Sequence, residues 1–168
     1  VYGGGSLCRE AETSRRNLNL EGLDALDLRT LKPNGQPWDF SKRADRLEAK
    51  RLIKKRNPDW QVGSPPCTAF SLGNRALNYS KMDPREVQKR ISDGRKHLNF
   101  CVSLYRDQLR RGKHFIHEHP QSAASLQEIG IASLSQDPHV HFVTADQCTY
   151  GLTTPGEDGK PTPAKKAT

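Results

Sequence analysis

Apolar runs of strand length alternate with longer amphipathic segments along this 168-residue chain, and this alternation limits the folds that it can adopt. We predict strands at the start of the chain, at 23–30, before the Pro65–Pro66 pair, at 113–120 and at 140–152. Several segments between them have helical spacing. Because such alternation is typical of α/β proteins, the sequence predicts a Rossmann-like fold, with a mostly parallel sheet and helices on both faces.

The clearest helical pattern begins at Asp83, which can cap a helix whose first position is Pro84. Glu86 completes a capping-box pattern, and Gly112 marks the end of the helix. A second and very basic helix is predicted over 41–56, and a short one over 122–129. The apolar positions that recur at helical spacing after Asp83 are Val87, Ile91, Leu98, Val102, Tyr105 and Leu109.

The charge balance predicts an anionic partner. The chain carries a formal net charge of +8 and has a sequence pI of about 9.5, which favours nucleic acid. No apolar run approaches the roughly 20 residues that a membrane span requires. We predict one domain over 1–152, followed at 153–168 by a tail rich in Pro, Gly and Lys that is extended or disordered.

The four cysteines, Cys8, Cys67, Cys101 and Cys148, are far apart and form no Cys-x-x-Cys pair. This spacing argues against a structural zinc site. No segment resembles a signal peptide, so we expect free thiols in a reducing, intracellular setting, with the nucleus a natural location for a nucleic-acid partner.

Candidate catalytic residues lie where predicted strands end. In a parallel sheet, ligands bind beyond the carboxyl ends of the strands. Cys67 follows a rigid proline pair and can act as a nucleophile if its pKa is lowered, and Glu118 can serve as an acid, a base or an anchor. Asp27 and Asp39 lie near other predicted strand ends, so all four side chains are expected to line one crevice.

The segment GSPPCTAFS, residues 63–71, resembles the Pro-Cys motif of DNA cytosine-C5 methyltransferases, which is usually Gly-Gly-Pro-Pro-Cys-Gln-x-Phe-Ser. HEHP, residues 117–120, resembles the Glu-Asn-Val motif of that family. The chain is also similar to methyltransferase-like segments in polyproteins of some eukaryotic retroelements, which suggests a fragment of a longer protein. The resemblance covers roughly residues 1–151, although only the two motifs are specific.

The resemblance implies a class I methyltransferase that uses S-adenosylmethionine, with DNA favoured over RNA as substrate. Cys67 matches the nucleophile that adds to C6 of a flipped-out cytosine, and Glu118 matches the carboxylate that binds the ring at N3 and the exocyclic amine. The residues that match cofactor-binding positions are Gly3, Gly4 and Gly5 near the methionine part, Asp27 at the ribose, Asp39 near the adenine amine, and Pro65 and Pro66 in the wall between cofactor and base.

The chain departs from the family at several positions. Thr68 stands where the family has Gln, and His119 and Pro120 replace Asn and Val. No Gln-x-Arg-x-Arg motif follows Leu152, and the sequence contains no target-recognition domain. These departures predict a truncated or degenerate enzyme, or one that needs a partner for target recognition.

Two other classes of function remain open from the sequence. One is a nucleic-acid-binding module without catalysis, which would bind in a strongly salt-dependent way. The other is a metal-dependent hydrolase built on the His117/His119 and His139/His141 pairs, because alternate residues of a strand share one face. An adenine N6-methyltransferase is disfavoured because Cys67, and not an aromatic residue, follows the prolines.

Overall fold

The structure is a computed structural model that describes residues 6–13, 19–164 and 167–168. The helices are α1 Ser6–Thr13, α2 Arg43–Arg56, α3 Pro84–Arg110 and α4 Ile129–Leu134. The strands are β1 Trp60–Gly63, β2 His114–His117, β3 Thr153–Pro155 and β4 Pro161–Pro163. Short helical turns lie at Thr68–Phe70, Asn74–Asn78, Tyr79–Lys81, Ala124–Gln127 and Gln147–Tyr150. No described helix has the length and apolar character needed to cross a membrane.

The chain is a mixed α/β protein whose first sheet is a parallel pair. β1 pairs with β2 in a register that runs from Trp60 beside His114 to Gly63 beside His117. The connection between the two strands contains α3, as parallel strands require a long crossover. Both strands therefore end at the same edge, and the loops that follow them start side by side.

The prediction of a long capped helix is confirmed in α3. The Asp83 carboxylate accepts a hydrogen bond from the Arg85 N–H at 2.7 Å, and Pro84 occupies the first turn. Glu86 pairs with Arg90 one turn later. The helix ends before Gly112, which adopts a positive φ of 65°.

Two hydrophobic clusters pack on different faces of α3. The first lies between α3, the sheet and α4, and the second lies between α3, α2 and the segment before α2. The buried members of the first are Phe70, Leu98, Cys101, Val102, Tyr105, Ile131 and Leu134. The buried members of the second are Leu26, Trp38, Phe40, Ala49, Phe100 and Leu104. The long helix therefore connects the basic helix α2 to the sheet.

The described residues form much less of a sheet than the sequence predicts. The strand expected at 23–30 is wrong, because Asp27 and Thr30 bond to each other and close a turn. The Asp27 carboxylate also accepts the Arg29 N–H at 2.7 Å. Short polar side chains of this kind compete with strand pairing by bonding their own backbone. The strand expected at the start of the chain lies outside the described residues.

The strand predicted at 140–152 is also wrong. Phe142 and Val143 are 63% and 81% exposed, so no described neighbour covers their apolar side chains. Asp146 starts a helical turn that ends at Gly151, whose φ is 91°. Within the described part of the chain, this apolar run therefore lacks a neighbouring strand that would hold it in a sheet.

The other predicted elements are recovered in part. α2 confirms the basic helix, but it begins at Arg43, and the Ser41 hydroxyl bonds to Asp39. The helix expected at 122–129 is divided into the turn Ala124–Gln127 and the later α4. In the segment after Leu152, β3 and β4 form an antiparallel hairpin where composition predicts an extended or disordered tail.

Candidate functional site

The two motifs meet where β1 and β2 end. The Glu118 N–H donates to the Gly63 carbonyl at 3.0 Å, which extends the parallel pairing by one step. The Ser64 hydroxyl, next along the chain, donates to Oε2 of Glu118 at 2.7 Å. The proline–cysteine loop and the candidate carboxylate are thus linked directly across the strand ends, as the sequence predicted.

The Glu118 carboxylate also has partners that the sequence did not reveal. Gln147 Nε2 lies 3.4 Å from Oε1, and the Thr168 hydroxyl donates to the same oxygen. Thr168 is held in place by two backbone hydrogen bonds to Ala145, at 2.9 and 3.0 Å. No local sequence motif marks Gln147 and Thr168, because they are far from Glu118 in the sequence. They contact it only because the chain between 145 and 168 folds back over the strand ends.

His119 connects the carboxylate motif to the proline pair. Its Nε2 lies 2.8 Å from the Pro65 carbonyl, which can only accept, so the proton is on Nε2. Burial lowers the pKa of His119, and the neutral ring therefore accepts from Ser125 through Nδ1. The side chain is only 4% exposed. His119 thus holds the turn before Cys67 in place.

His117 lies on the buried side of the strand ends. Its Nδ1 is 3.0 Å from the Tyr105 hydroxyl, whereas its buried Nε2 has no hydrogen-bond partner among the described residues. Burial, with a smaller contribution from His119, lowers the pKa of His117 to about 4. A neutral imidazole at this position therefore supports the strand next to the catalytic candidates.

We expect the protein to lose stability as the pH falls from about 6.5 to about 4. The unfolded chain binds a proton on His117 near its usual pKa of 6.5, whereas the folded chain binds it only near 4. Protonation therefore favours unfolding, with a slope of at most about 1.4 kcal/mol per pH unit for one histidine. Urea unfolding at pH 7, 5.5 and 4.5 measures this slope.

The matched controls for this pH effect are His117→Gln and His139→Gln, because His139 is exposed. His117→Gln should reduce the pH dependence, although His119 and His97, whose pKa values burial also lowers, still contribute to it. His139→Gln should retain the full pH dependence. Equal slopes in both variants would contradict the assignment to His117.

Cys67 precedes the helical turn Thr68–Phe70 and is half-buried. Its carbonyl accepts the Phe70 N–H at 2.9 Å, and Phe70 is buried in the first cluster. Asn74 Nδ2 bonds to the Thr68 carbonyl at 2.7 Å, which braces the turn from the other side. The thiol is accordingly carried by an anchored loop.

Cys101 is a contrasting case. It is fully buried, and desolvation raises the pKa of its thiol to about 12. A thiol with so high a pKa is a poor nucleophile. Of Cys67 and Cys101, only Cys67 is both accessible to solvent and located after the end of a strand.

The residues assigned to the cofactor by resemblance are only partly described. Gly3, Gly4 and Gly5 lie outside the described residues. The Asp27 carboxylate accepts the Arg29 N–H, and the Asp39 carboxylate accepts the N–H and the hydroxyl of Ser41. Both carboxylates therefore stabilise their own turns, which is the structural role that competes with cofactor binding.

The Asp39 carboxylate can nevertheless accept a hydrogen bond from an amine or a hydroxyl group of a ligand. The Ser41 hydroxyl is the main cause that lowers the pKa of Asp39, so the carboxylate is ionised at neutral pH. Both Ser41 bonds go to Oδ1, and Oδ2 lies 3.4 Å from the exposed Lys42 ammonium. An ionised carboxylate accepts about four hydrogen bonds, so acceptor capacity remains.

The histidine pairs do not form a metal site in the described part of the chain. No three His, Cys, Asp or Glu side chains are grouped there in a way that would hold a metal ion. His117 and His119 bond to Tyr105, Ser125 and Pro65, while His139 and His141 are exposed. The hydrolase alternative consequently has no structural support in these residues.

Comparison of the chain with protein-family models, with curated proteins and with solved structures gave no match. A function is therefore inferred from the two motifs and from the contacts between them. The contacts that matter most are the Ser64–Glu118 and His119–Pro65 hydrogen bonds, because each joins one motif to the other.

Proposed function

We propose that the chain is a domain that transfers a methyl group from S-adenosylmethionine to C5 of cytosine in nucleic acid, with DNA the favoured substrate. The proposal treats β1 and β2 as two strands of a Rossmann-like methyltransferase sheet whose remaining strands are not seen in the described residues. The expected residues are Cys67 as nucleophile and Glu118 as the carboxylate that binds the base.

The observation that carries the proposal is the Ser64–Glu118 hydrogen bond of 2.7 Å across the strand ends. It joins the loop of the thiol to the carboxylate that would bind the base. The register of β1 and β2 requires this proximity, since Gly63 lies beside His117. A nucleophile and a carboxylate at one sheet edge match the position at which α/β proteins bind ligands.

The proposed chemistry begins with attack of the Cys67 thiolate on C6 of the flipped base. Glu118 shares a proton with N3 and accepts a hydrogen bond from the exocyclic amine, and the positive charge that this proton brings to the ring makes C6 a better electrophile. The addition makes C5 electron-rich, so that C5 can accept a methyl group. Loss of the C5 proton to a base from solvent then expels the Cys67 thiolate and restores the aromatic ring.

S-adenosylmethionine supplies an electrophilic methyl group when it is bound. Asp39 is the described residue whose chemistry best suits a contact with it, and Pro65 and Pro66 would separate it from the base. His119 has the positioning role here, because its bond to the Pro65 carbonyl holds the backbone of that wall. Nuclear or other intracellular action follows as part of the proposal.

A binding module without catalysis is the second candidate. Three side chains, those of Ser64, Gln147 and Thr168, already contact the Glu118 carboxylate. A base would have to displace or share these partners. Together with the net charge of +8, this arrangement favours a domain that holds nucleic acid and has lost methyl transfer.

A methyl-transfer assay distinguishes the two candidates. The protein is incubated with radiolabelled S-adenosylmethionine and a cytosine-rich oligonucleotide, and the digested nucleosides are analysed by mass spectrometry. Labelled 5-methylcytosine that disappears in Cys67→Ala supports the enzyme. Oligonucleotide binding without any labelled product supports the binding module.

A further inference from the structure

A groove between α2 and α3 is lined by basic side chains. It consists of two adjoining clefts of about 350 and 410 Å³ that share Lys50. We propose that this groove, the α2–α3 groove, binds the sugar–phosphate backbone of a nucleic-acid strand. Its basic residues on α2 are Arg43, Arg46, Lys50 and Lys54, those on α3 are Lys96 and Arg110, and Arg111 follows the end of α3.

The spacing of the charges suits an extended polyanion. On α2 the cations recur every three or four residues, so they lie on one face and extend over about 16 Å at 1.5 Å per residue. On the α3 side, Lys96 lines the cleft that contains Arg43, and Arg110 and Arg111 line the cleft that contains Lys54. The row of cations on α2, with these cations opposite its two ends, can neutralise successive phosphates of one nucleic-acid strand.

Several of these cations are available to a ligand. No carboxylate forms an ion pair with Arg43, Lys50 or Lys54 among the residues that the structure describes. Among the described lining residues, the acidic one is Asp107, which pairs with Arg110 at 2.7 Å. Lys96 is also paired, with Asp93 at 2.8 Å. The groove therefore has an excess of positive charge that its own side chains do not balance.

The floor of the groove favours phosphate over an acidic peptide. Phe100 and Leu104 are only 5% and 2% exposed, so they offer little apolar surface to the anchors of an amphipathic helix. Asn99 and Ser103, which line the same cleft, are polar. Leu47 in the same cleft is 42% exposed, so the cations and polar groups stand beside some apolar surface that a sugar can cover. Many cations and polar groups are typical of nucleic-acid interfaces.

The groove and the candidate site lie on different faces of the same helix, and α3 relates their positions. A Cβ on Gly94 would lie 2.9 Å from Ala69, so the Lys96 end of α3 lies near the loop after Cys67. Gln108, near the other end, bonds to the Pro58 and His114 carbonyls where the strands begin. The inference rests on the proposed function, which supplies nucleic acid as the substrate. It places the backbone of that nucleic acid along α3.

The test uses a fluorescein-labelled 20-nucleotide single strand, titrated with the full chain and followed by fluorescence anisotropy from 50 to 300 mM salt. The variant Lys50→Gln/Lys54→Gln removes two groove cations, and Arg51→Gln/Lys55→Gln removes two exposed cations of the same helix outside the groove. Loss of the phosphate contacts of Lys50 and Lys54 should reduce the slope of log affinity against log salt concentration by about 1.4. It should also weaken binding about 25-fold at about 0.1 M salt. The control should lose less than threefold.

Equal losses in both double variants would overturn the groove as a specific site, as would undetectable binding by the wild type at 50 mM salt. Stronger competition by poly-glutamate than by unlabelled oligonucleotide would also overturn it, in favour of an acidic peptide partner. Circular dichroism checks that both variants fold. Cys67→Ala should bind like the wild type, because its side chain lies outside the groove lining. A wild type that binds the oligonucleotide through the groove but forms no labelled 5-methylcytosine rejects the proposed function and leaves the groove intact.

Discussion

Replacing Glu118 by glutamine is expected to lower the rate of methyl transfer by about 10²–10⁴-fold, the range typical for loss of a positioned acid–base group. Glutamine keeps the size of the side chain and can still accept from Ser64, so the fold should persist. It cannot carry the negative charge or share a proton with N3 of the base. Single-turnover methyl transfer measures the effect.

The matched control for Glu118→Gln is Glu86→Gln. Glu86 is an exposed carboxylate on α3 that pairs with Arg90. The control should keep the wild-type rate within about twofold, because exposed ion pairs contribute little. If Glu118→Gln kept more than half of the wild-type activity, Glu118 would have no part in the reaction.

Replacing Gly63 by alanine is expected to reduce the free energy of unfolding by about 1–3 kcal/mol, because it overpacks a buried position. The new Cβ would lie 2.0 Å from the Tyr105 hydroxyl oxygen and 2.9 Å from Cζ. Tyr105 cannot easily move, since its ring stacks on Phe115 at 4.4 Å and its hydroxyl bonds to His117. Urea denaturation measures the loss.

Gly73→Ala provides the control for this steric effect. Its φ is −59°, and a Cβ there would meet nothing within 4 Å, so alanine should be neutral or slightly stabilising. Gly63→Ala combined with Tyr105→Phe should recover part of the lost stability, because the closest atom is removed. A wild-type midpoint for Gly63→Ala would show that β1 and α3 are not packed as described.

The sequence predicted α2, α3 and the parallel strands because their signals are local. Asp83 and Pro84 define the start of α3 through cap chemistry, and apolar spacing defines its buried faces. One rule about strand ends predicted a crevice lined by Cys67, Glu118, Asp27 and Asp39. The register of Gly63 and His117 brings the two motifs side by side, whereas Asp27 lies in a turn and not at a strand end. These features required no knowledge of distant contacts.

The features that the sequence missed depend on distant partners. The runs at 23–30 and 140–152 have the composition of strands, but Asp27 closes a turn and Val143 is left exposed. Thr168 reaches Glu118 across 50 positions of the chain. Likewise, the hydrogen bond from His119 to the Pro65 carbonyl joins residues 54 positions apart, and it forms only when β1 and β2 are paired. The sequence alone therefore gave no reason for a histidine at position 119.

The most direct test of the central claim, that Cys67 and Glu118 form one nucleophilic site for cytosine, is covalent trapping. The protein is mixed with S-adenosylmethionine and an oligonucleotide that contains 5-fluorocytosine, where fluorine blocks the final elimination. Intact mass spectrometry under denaturing conditions should show one protein–oligonucleotide adduct, which is absent without cofactor and absent in Cys67→Ala. An adduct that persists in Cys67→Ala, or no adduct from a wild type that binds both cofactor and oligonucleotide, would contradict the claim.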